Sequence, residues 1–243
     1  MRSLPLPPPD LLDGAALFLD FDGTLVELAE TPGAIAVRPA LAPLLRRLQG
    51  RLQGRIALIS GRSLADLDRH LPGLGIACSG SHGLELRLAS GDLLPLLVPE
   101  GIEEVRERVR GFAAGHDGLL VEDKPAGIAL HYRRAPDEAR RVSDFMEMLA
   151  REKSMAIQHG SMVVELRPHG ADKGDALRSF MADHDFAGAR PVFIGDDLTD
   201  EHAFLAARGL GGAGILVRAK RESAADYFLP SVAAVAEWLE AYA

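Results

Sequence analysis

Only one cysteine, Cys78, occurs in the 243 residues, so no intrachain disulfide can form. A chain of this kind suits a reducing cytoplasm, and a cytoplasmic location is expected. There is no cluster of lysine and arginine, and acids outnumber bases to leave a net charge of −8. That balance argues against nucleic acid and anionic membrane surfaces as partners. Apolar runs are short and broken by Asp, Gly or Pro, and none approaches the ~20 residues that cross a bilayer. The proline-rich start, Leu4-Pro5-Leu6-Pro7-Pro8-Pro9, lacks the continuous apolar centre of a signal peptide. Residues 1–12 read as a mobile leader. No internal repeat is visible. What the chain does have is 47% apolar residues, enough to bury a core. At ~150 residues per domain its length corresponds to between one and two domains.

The chain is organised around Leu17-Phe18-Leu19-Asp20-Phe21-Asp22-Gly23-Thr24. An apolar run ends abruptly in two carboxylates separated by one residue, followed by Gly. A buried parallel strand has this form when its carboxyl end opens into an active site. If the strand continues, Asp20 and Asp22 share a face. If it has ended, they straddle a turn that Gly23 permits. Either way two acids lie close and need a proton or a cation between them.

Helical spacing follows at Leu41, Leu44, Leu45 and Leu48, with Pro39 suited to the first turn. Residues 55–59 read as a second buried strand ending in Ser60-Gly61-Arg62. Ser63 starts a helix with Leu64, Leu67 and Leu71 on one face, and residues 76–79 form a third strand ending near His82-Gly83. This alternation predicts an α/β fold with a parallel sheet. The rhythm then changes. Residues 84–88 and 93–98 read as a hairpin, and a helix carries Ile102, Val105, Val109 and Phe112. Strands at 119–122 and 128–133 are joined by Lys124-Pro125-Ala126-Gly127. A second helix carries Val142, Phe145 and Leu149, followed by strands at 155–158 and 162–167. In the last of these, Met162, Val164 and Leu166 should pack on the helices, while Val163, Glu165 and Arg167 look outward. Residues 85–168 are thus expected to form an inserted α+β domain, with 13–84 and 169–243 forming the core.

The α/β pattern resumes at Lys173, which opens a helix with Leu177, Phe180 and Met181 inward. A buried strand at 191–194 ends in Gly195-Asp196-Asp197-Leu198-Thr199-Asp200, where Thr199 or Asp200 would cap the next helix. A glycine-rich loop at 209–214 precedes a last strand, 215–217. Four polar sets therefore fall at strand ends or a helix start of one domain: Asp20 and Asp22, Ser60, Lys173, and the Asp196 cluster. Each alone is an ordinary turn, cap or solvated side chain. Together they line the crevice at the carboxyl ends of a parallel sheet. Asp20, Asp22 and Asp196 suit Mg²⁺, with Asp197 or Asp200 holding its waters. Lys173, Ser60 and Thr24 could then hold a phosphoryl group.

The motifs D-F-D-G-T, S-G-R, K-G and G-D-D-L-T-D together resemble those of the haloacid dehalogenase-like (HAD) phosphatases. That resemblance implies a Rossmann-like parallel-sheet core with an inserted cap domain. It makes Asp20 the nucleophile that forms an aspartyl-phosphate, and Asp22 the acid and then the base. Ser60 and Lys173 would orient and neutralise the phosphoryl oxygens, Thr24, Gly61 and Arg62 would be substrate-binding residues, and Mg²⁺ would be the cofactor. A finer resemblance, to trehalose-6-phosphate phosphatases, is carried by residues 79–85, 121–133 and 160–168. It implies that His82, Gly83, Lys124 and Glu165 serve substrate binding, with Lys124 and Glu165 contacting the sugar. One departure is Ser161, where many members carry a basic residue. The expected substrate is a small molecule, trehalose 6-phosphate, and the protein is expected to act as a monomer. Two alternatives compete with this reading. One is a phosphatase of sucrose-phosphate or mannosylglycerate-phosphate. The other is a phospho-accepting receiver module, which would need no inserted domain and about half the length.

Overall fold

The computed structural model describes residues 4–28, 35–93, 100–124, 126–160, 162–168, 172–218 and 221–243. They form two compact units, one of residues 1–94 with 172–243 and the other of residues 95–171.

In the first unit, β1 (Ala15–Leu19) is followed by α1 (Leu41–Arg51), β2 (Ile56–Ile59), α2 (Leu64–His70), β3 (Ala77–Gly80) and β4 (Glu85–Arg87). β1 and β2 are buried at every residue, as strands covered on both faces must be. Leu17 and Leu19 of β1 join a cluster with Leu44, Leu45 and Leu48 of α1 and Leu67 of α2. Ala16 and Phe18 face the opposite cluster. The period of two along the strand therefore feeds two separate cores.

The second unit runs α3 (Ile102–Ala114), β5 (Leu120–Lys124), β6 (Gly127–His131), α4 (Ala139–Glu152), β7 (Ala156–Gly160) and β8 (Val163–Arg167). Its four strands form an antiparallel sheet in the order β5-β6-β8-β7. Ile128, Leu130, Val164 and Leu166 pack with Ile102, Val105 and Val109 of α3 and with Val142, Met146 and Leu149 of α4. Between the helices, the rings of Phe112 and Phe145 stack with centroids 4.1 Å apart.

The chain then returns to the first unit as α5 (Lys173–Ala182), β9 (Arg190–Gly195), α6 (Glu201–Gly209), β10 (Ala213–Val217), β11 (Tyr227–Leu229) and α7 (Val232–Tyr242). The sheet there has seven strands in the order β11-β10-β9-β1-β2-β3-β4, all parallel except β4. Leu177 and Phe180 of α5 and Phe204 of α6 fill the second core, and Val235 and Leu239 of α7 the first. The sequence runs outward in both directions from the β1–β9 pair, so a crevice is expected at the carboxyl ends of those strands.

Several expectations need correction. The described part of the leader, residues 4–12, is tied to the core: Leu12 is fully buried, the Phe228 amide donates to the Pro5 carbonyl, and the Tyr242 hydroxyl donates to the Leu12 carbonyl. β4 is hydrogen-bonded to β3 and extends the large sheet, so the units divide after Leu94 rather than after Leu84. Of its expected hairpin partner, Leu93 makes a bridge to Arg87, while 94–98 lie outside the described residues, as do Pro125 and Ser161. Pro39 precedes α1 rather than entering its first turn. Lys124 ends β5, paired with Gly127, and does not lie in the turn. Met162 stands outside β8, at a φ of +62°. The strand at 215–217 is not the last. β11 is only three residues long, too short to register as an apolar run, and α7 begins at the cap residue Ser231.

Candidate active site

The site is built where β1 and β9 end. Asp20 is the first residue past β1 and is anchored by its amide to the Ile194 carbonyl at 2.9 Å. The chain then folds back sharply, with the Leu25 and Val26 amides donating to the Phe21 carbonyl at 2.9 and 3.1 Å. Gly23 has a φ of +78°, and a Cβ there would overlap the Asp196 carboxylate. Glycine is needed twice over, for the backbone conformation and for the close approach of the two strand-end loops. Asp22 is therefore on the turn, bridged to Val26, rather than continuing the strand.

Lys173 is delivered by the first turn of α5. Asp172 caps that helix: its carboxylate accepts from the Asp175 amide at 2.9 Å, and the Asp175 carboxylate accepts from the Asp172 amide at 3.3 Å. A Cβ on Gly83 would meet the Asp172 carbonyl at 2.5 Å, so the turn after β3 packs directly on this cap. The Lys173 ammonium, with a side chain only 3% exposed, donates to Asp20 Oδ1 at 2.7 Å and to Asp200 Oδ1 at 2.6 Å. Asp200 is fully buried, and its other oxygen accepts from the Asp197 amide at 2.9 Å. Asp197 turns its own carboxylate to the Leu198 amide at 2.6 Å. Asp197 thus caps the short turn Leu198–Asp200, with Asp200 as its reciprocal partner, and Asp200, one of the two residues expected there, holds the N-cap position of α6 without a side-chain cap bond.

Among the described residues, one oxygen from each of Asp20, Asp196 and Asp200 lies within 4.8 Å of the others. Burial pushes the Asp20 carboxyl up to about 8, opposed by Lys173 and reinforced by Asp200 and Asp196. Burial also pushes Asp196 up to about 6, reinforced by Asp200 and opposed by Arg218. Lys173 is itself raised: burial works against its charge, but Asp20 and Asp200 outweigh it. A protonated lysine between these acids leaves excess negative charge. Hard oxygen donors in excess of their counter-charge fit a small divalent cation that keeps waters of its own. Of the five carboxylates expected at such a site, Asp22 and Asp197 stand outside the group. Asp22 is turned to Arg62, and Asp197 to its own helix cap.

Ser60 is fully buried at the end of β2, and its hydroxyl accepts from the Arg62 amide at 3.1 Å. Thr24 is equally buried, and among the described residues its hydroxyl has no hydrogen-bond partner. The Arg62 guanidinium grips Asp22 through two nitrogens, at 2.6 and 2.8 Å, and holds Asp66 through the third at 2.6 Å. Gly61 lies against the His82 ring, where a Cβ would come within 2.5 Å. Ser81 and His82 both adopt left-handed backbone, and the His82 amide reaches the Ser60 carbonyl at 3.0 Å. That contact ties the ends of β2 and β3 together.

Sequence reasoning missed Arg218. It donates to Asp196 at 3.1 Å and to Glu27 at 3.3 Å. The available signal was its position immediately past β10. It also missed Arg221, which bonds the Asp197 carbonyl at 2.7 Å and pairs with Glu201.

In the second unit, strand alternation puts Lys124, Glu165 and Arg167 on the sheet face away from α3 and α4. The Lys124 ammonium pairs with Glu122 at 2.6 Å, and Glu122 also meets His131 at 2.8 Å. Burial raises the Glu165 carboxyl above its ordinary value, with Lys124 and Arg167 opposing. The Arg167 Nε and Nη1 atoms are buried and have no hydrogen-bond partner among the described residues. Glu122 and His131 were missed, because register across strands, not sequence spacing, sets them beside Lys124.

The family model described as trehalose-phosphatase matches residues 18–233. A protein of Sinorhizobium fredii described as a "Probable trehalose-phosphate phosphatase" is 42% identical over 85% of this chain and 78% of its own length. The trehalose-6-phosphate phosphatase of Escherichia coli is 34% identical over 96% of this chain and 88% of its own. Among solved structures, Aspergillus fumigatus trehalose-6-phosphate phosphatase aligns over 98% of each chain, with a TM-score of 0.74 at 25% identity. With the strand-end aspartates, the buried lysine and the HAD-like architecture in place, the chain belongs to the trehalose-phosphatase family of phosphoric monoester hydrolases.

Proposed function

We propose that the protein hydrolyses trehalose 6-phosphate to trehalose and phosphate through an aspartyl-phosphate on Asp20. The observation that carries this reading is Lys173, buried and bonded at once to Asp20 and Asp200. A fixed ammonium beside a buried carboxylate sets the nucleophile's orientation and supplies charge for the phosphoryl oxygens. The buried Ser60 and Thr24 hydroxyls are donors available to those oxygens.

Asp20, Asp196 and Asp200 would hold Mg²⁺, which would supply positive charge to offset the carboxylates and a phosphate dianion. Asp20 attacks phosphorus, and Asp22 gives a proton to the departing sugar oxygen. Asp22 then takes a proton from the water that hydrolyses the acyl phosphate, restoring both acids. Lys124 and Glu165 recognise sugar hydroxyls, one donating and the other accepting. Both lie half-buried on the polar face of the small sheet, and the substrates named for the relatives are consistent with that role. Membership of a hydrolase family argues against the receiver-module alternative, which would keep its phosphate.

The test is phosphate release from trehalose 6-phosphate, sucrose 6-phosphate and mannosylglycerate-phosphate, with Mg²⁺ and in excess chelator. The expected result is preference for trehalose 6-phosphate, abolished by chelation and restored by Mg²⁺. Full activity in chelator would refute the metal assignment, and preference for another sugar would refute the substrate.

A further inference from the structure

Arg62 was expected to serve the substrate, yet its guanidinium is committed elsewhere. Nε donates to Asp22 Oδ2 at 2.6 Å and Nη2 to Asp22 Oδ1 at 2.8 Å, so the fork engages both oxygens of the carboxylate. Nη1 is fixed on Asp66 Oδ2 at 2.6 Å, and Cζ lies 5.8 Å from the Phe21 ring centroid. The Arg62 side chain is only 9% exposed, whereas that of Asp22 is 28% exposed. Its backbone is held as well: the amide donates to Ser60 Oγ at 3.1 Å, and the carbonyl accepts from the Ser81 amide at 2.8 Å. The arginine is therefore a fixed, preorganised element, and Asp22 is the more accessible side chain that it orients. A bidentate arginine–carboxylate pair specifies direction as well as charge.

We propose that Arg62 is a positioning residue for Asp22, aiming its carboxyl at the leaving oxygen, with Asp66 anchoring the arginine in turn. The inference rests on the acid–base role assigned to Asp22 above. In the first half-reaction the Asp22 carboxyl gives its proton to the sugar oxygen as the phosphorus–oxygen bond breaks. It is left as the carboxylate that the Arg62 fork binds. In the second half-reaction that carboxylate, held in the same place, takes the proton of the attacking water. One carboxyl thus acts twice without searching for its position, and misplacement of such a group costs on the order of a hundredfold in rate.

The leaving group separates this role from a structural one. The alkoxide of a sugar phosphate needs a proton, and the phenolate of p-nitrophenyl phosphate does not. The experiment measures kcat/KM, which ends at phosphoryl transfer to Asp20, on both substrates. It compares the parent, Arg62→Gln, Arg62→Lys, Asp66→Asn, Asp22→Asn and the Arg62→Gln/Asp22→Asn double variant. Arg62→Gln should lose about tenfold to a hundredfold on trehalose 6-phosphate and less than about threefold on p-nitrophenyl phosphate. Arg62→Lys keeps the charge but not the fork and should be intermediate. Asp66→Asn should show a smaller loss of the same leaving-group dependence, and serves if Arg62→Gln does not fold. In the Asp22→Asn background, Arg62→Gln should add almost nothing.

Equal losses on both substrates in folded Arg62 variants would overturn the inference, as would an undiminished further loss in the double variant. Either would show arginine acting on the phosphoryl group, the sugar or the fold. Should Asp22→Asn itself lose equally on both substrates, the acid–base reading fails, and the inference fails with it.

Discussion

Lys173 is held between Asp20 and Asp200 inside the molecule, so its charge is not available for solvent. Removing one partner from such a buried set leaves an uncompensated charge, whereas an isosteric change leaves the packing intact. Asp20→Asn keeps an oxygen for Lys173 to bond but cannot attack phosphorus. Turnover should vanish while the circular dichroism spectrum and folding cooperativity are retained. Near-normal phosphate release by this variant would mean that another group is the nucleophile. Asp22→Asn should retain the same fold and lose about 10²–10⁴ in kcat on trehalose 6-phosphate, the usual contribution of an acid–base group. Steady-state assays of the two variants side by side check both statements.

The strands and helix starts carry chemistry because their hydrogen-bonding geometry fixes where side chains go. α5 places Lys173 through the Asp172 cap, and the small sheet sorts its residues by alternation, leaving Glu165 and Lys124 opposite the helix-packed face. Lys124→Ala and Glu165→Ala should each lower kcat/KM for trehalose 6-phosphate by roughly 1.5–3 kcal/mol, the worth of a charged hydrogen bond. Hydrolysis of a small aryl phosphate should scarcely change. Equal losses on both substrates would show that these residues serve the fold.

Glu165 also makes a pH prediction. Burial raises its carboxyl above the ordinary 4.5, and Lys124 and Arg167 offset this only in part. The folded state then holds the proton more tightly than the unfolded state. As pH rises from 4.5, the parent loses stability until the folded group has ionised too. Glu165→Gln does not titrate, so its stability relative to the parent should climb over that interval. Urea melts of both proteins through a pH series would show it, and a pH-independent difference would refute it.

For the molecule as a whole, each unit has its own core, and the larger one is completed by the two ends of its chain. Leu12 is fully buried, and Tyr242 of α7 bonds to its carbonyl at 2.9 Å. Deleting residues 1–12 should therefore destabilise the protein by at least the roughly 1.5–3 kcal/mol that burying one such leucine contributes. Denaturant titration of the shortened protein checks this, and unchanged stability would mean that the segment is not part of the core.

Much of this was legible before any coordinates, because local rules set it. Apolar runs ending in Asp20, Ser60 and Asp196 marked the parallel strands, since a strand buried on both faces can tolerate polar groups only where it ends. The period of two in β8 sorted Val164 and Leu166 from Glu165 correctly. The same rules overlooked β11, only three residues long, and the eleven-residue α7 after it, and they mistook the leader, whose prolines conceal the burial of Leu11 and Leu12. Which acids gather could not be read from spacing. Asp20, Asp196 and Asp200 converge because β9 lies beside β1 and Gly23 lets their loops approach. Asp22, two residues from Asp20, is drawn away by an arginine that follows a different strand. The sequence by itself determined which residues sit at strand ends. Only the tertiary structure decided which of them share charge, because that depends on distances of a few ångströms between segments far apart in the chain.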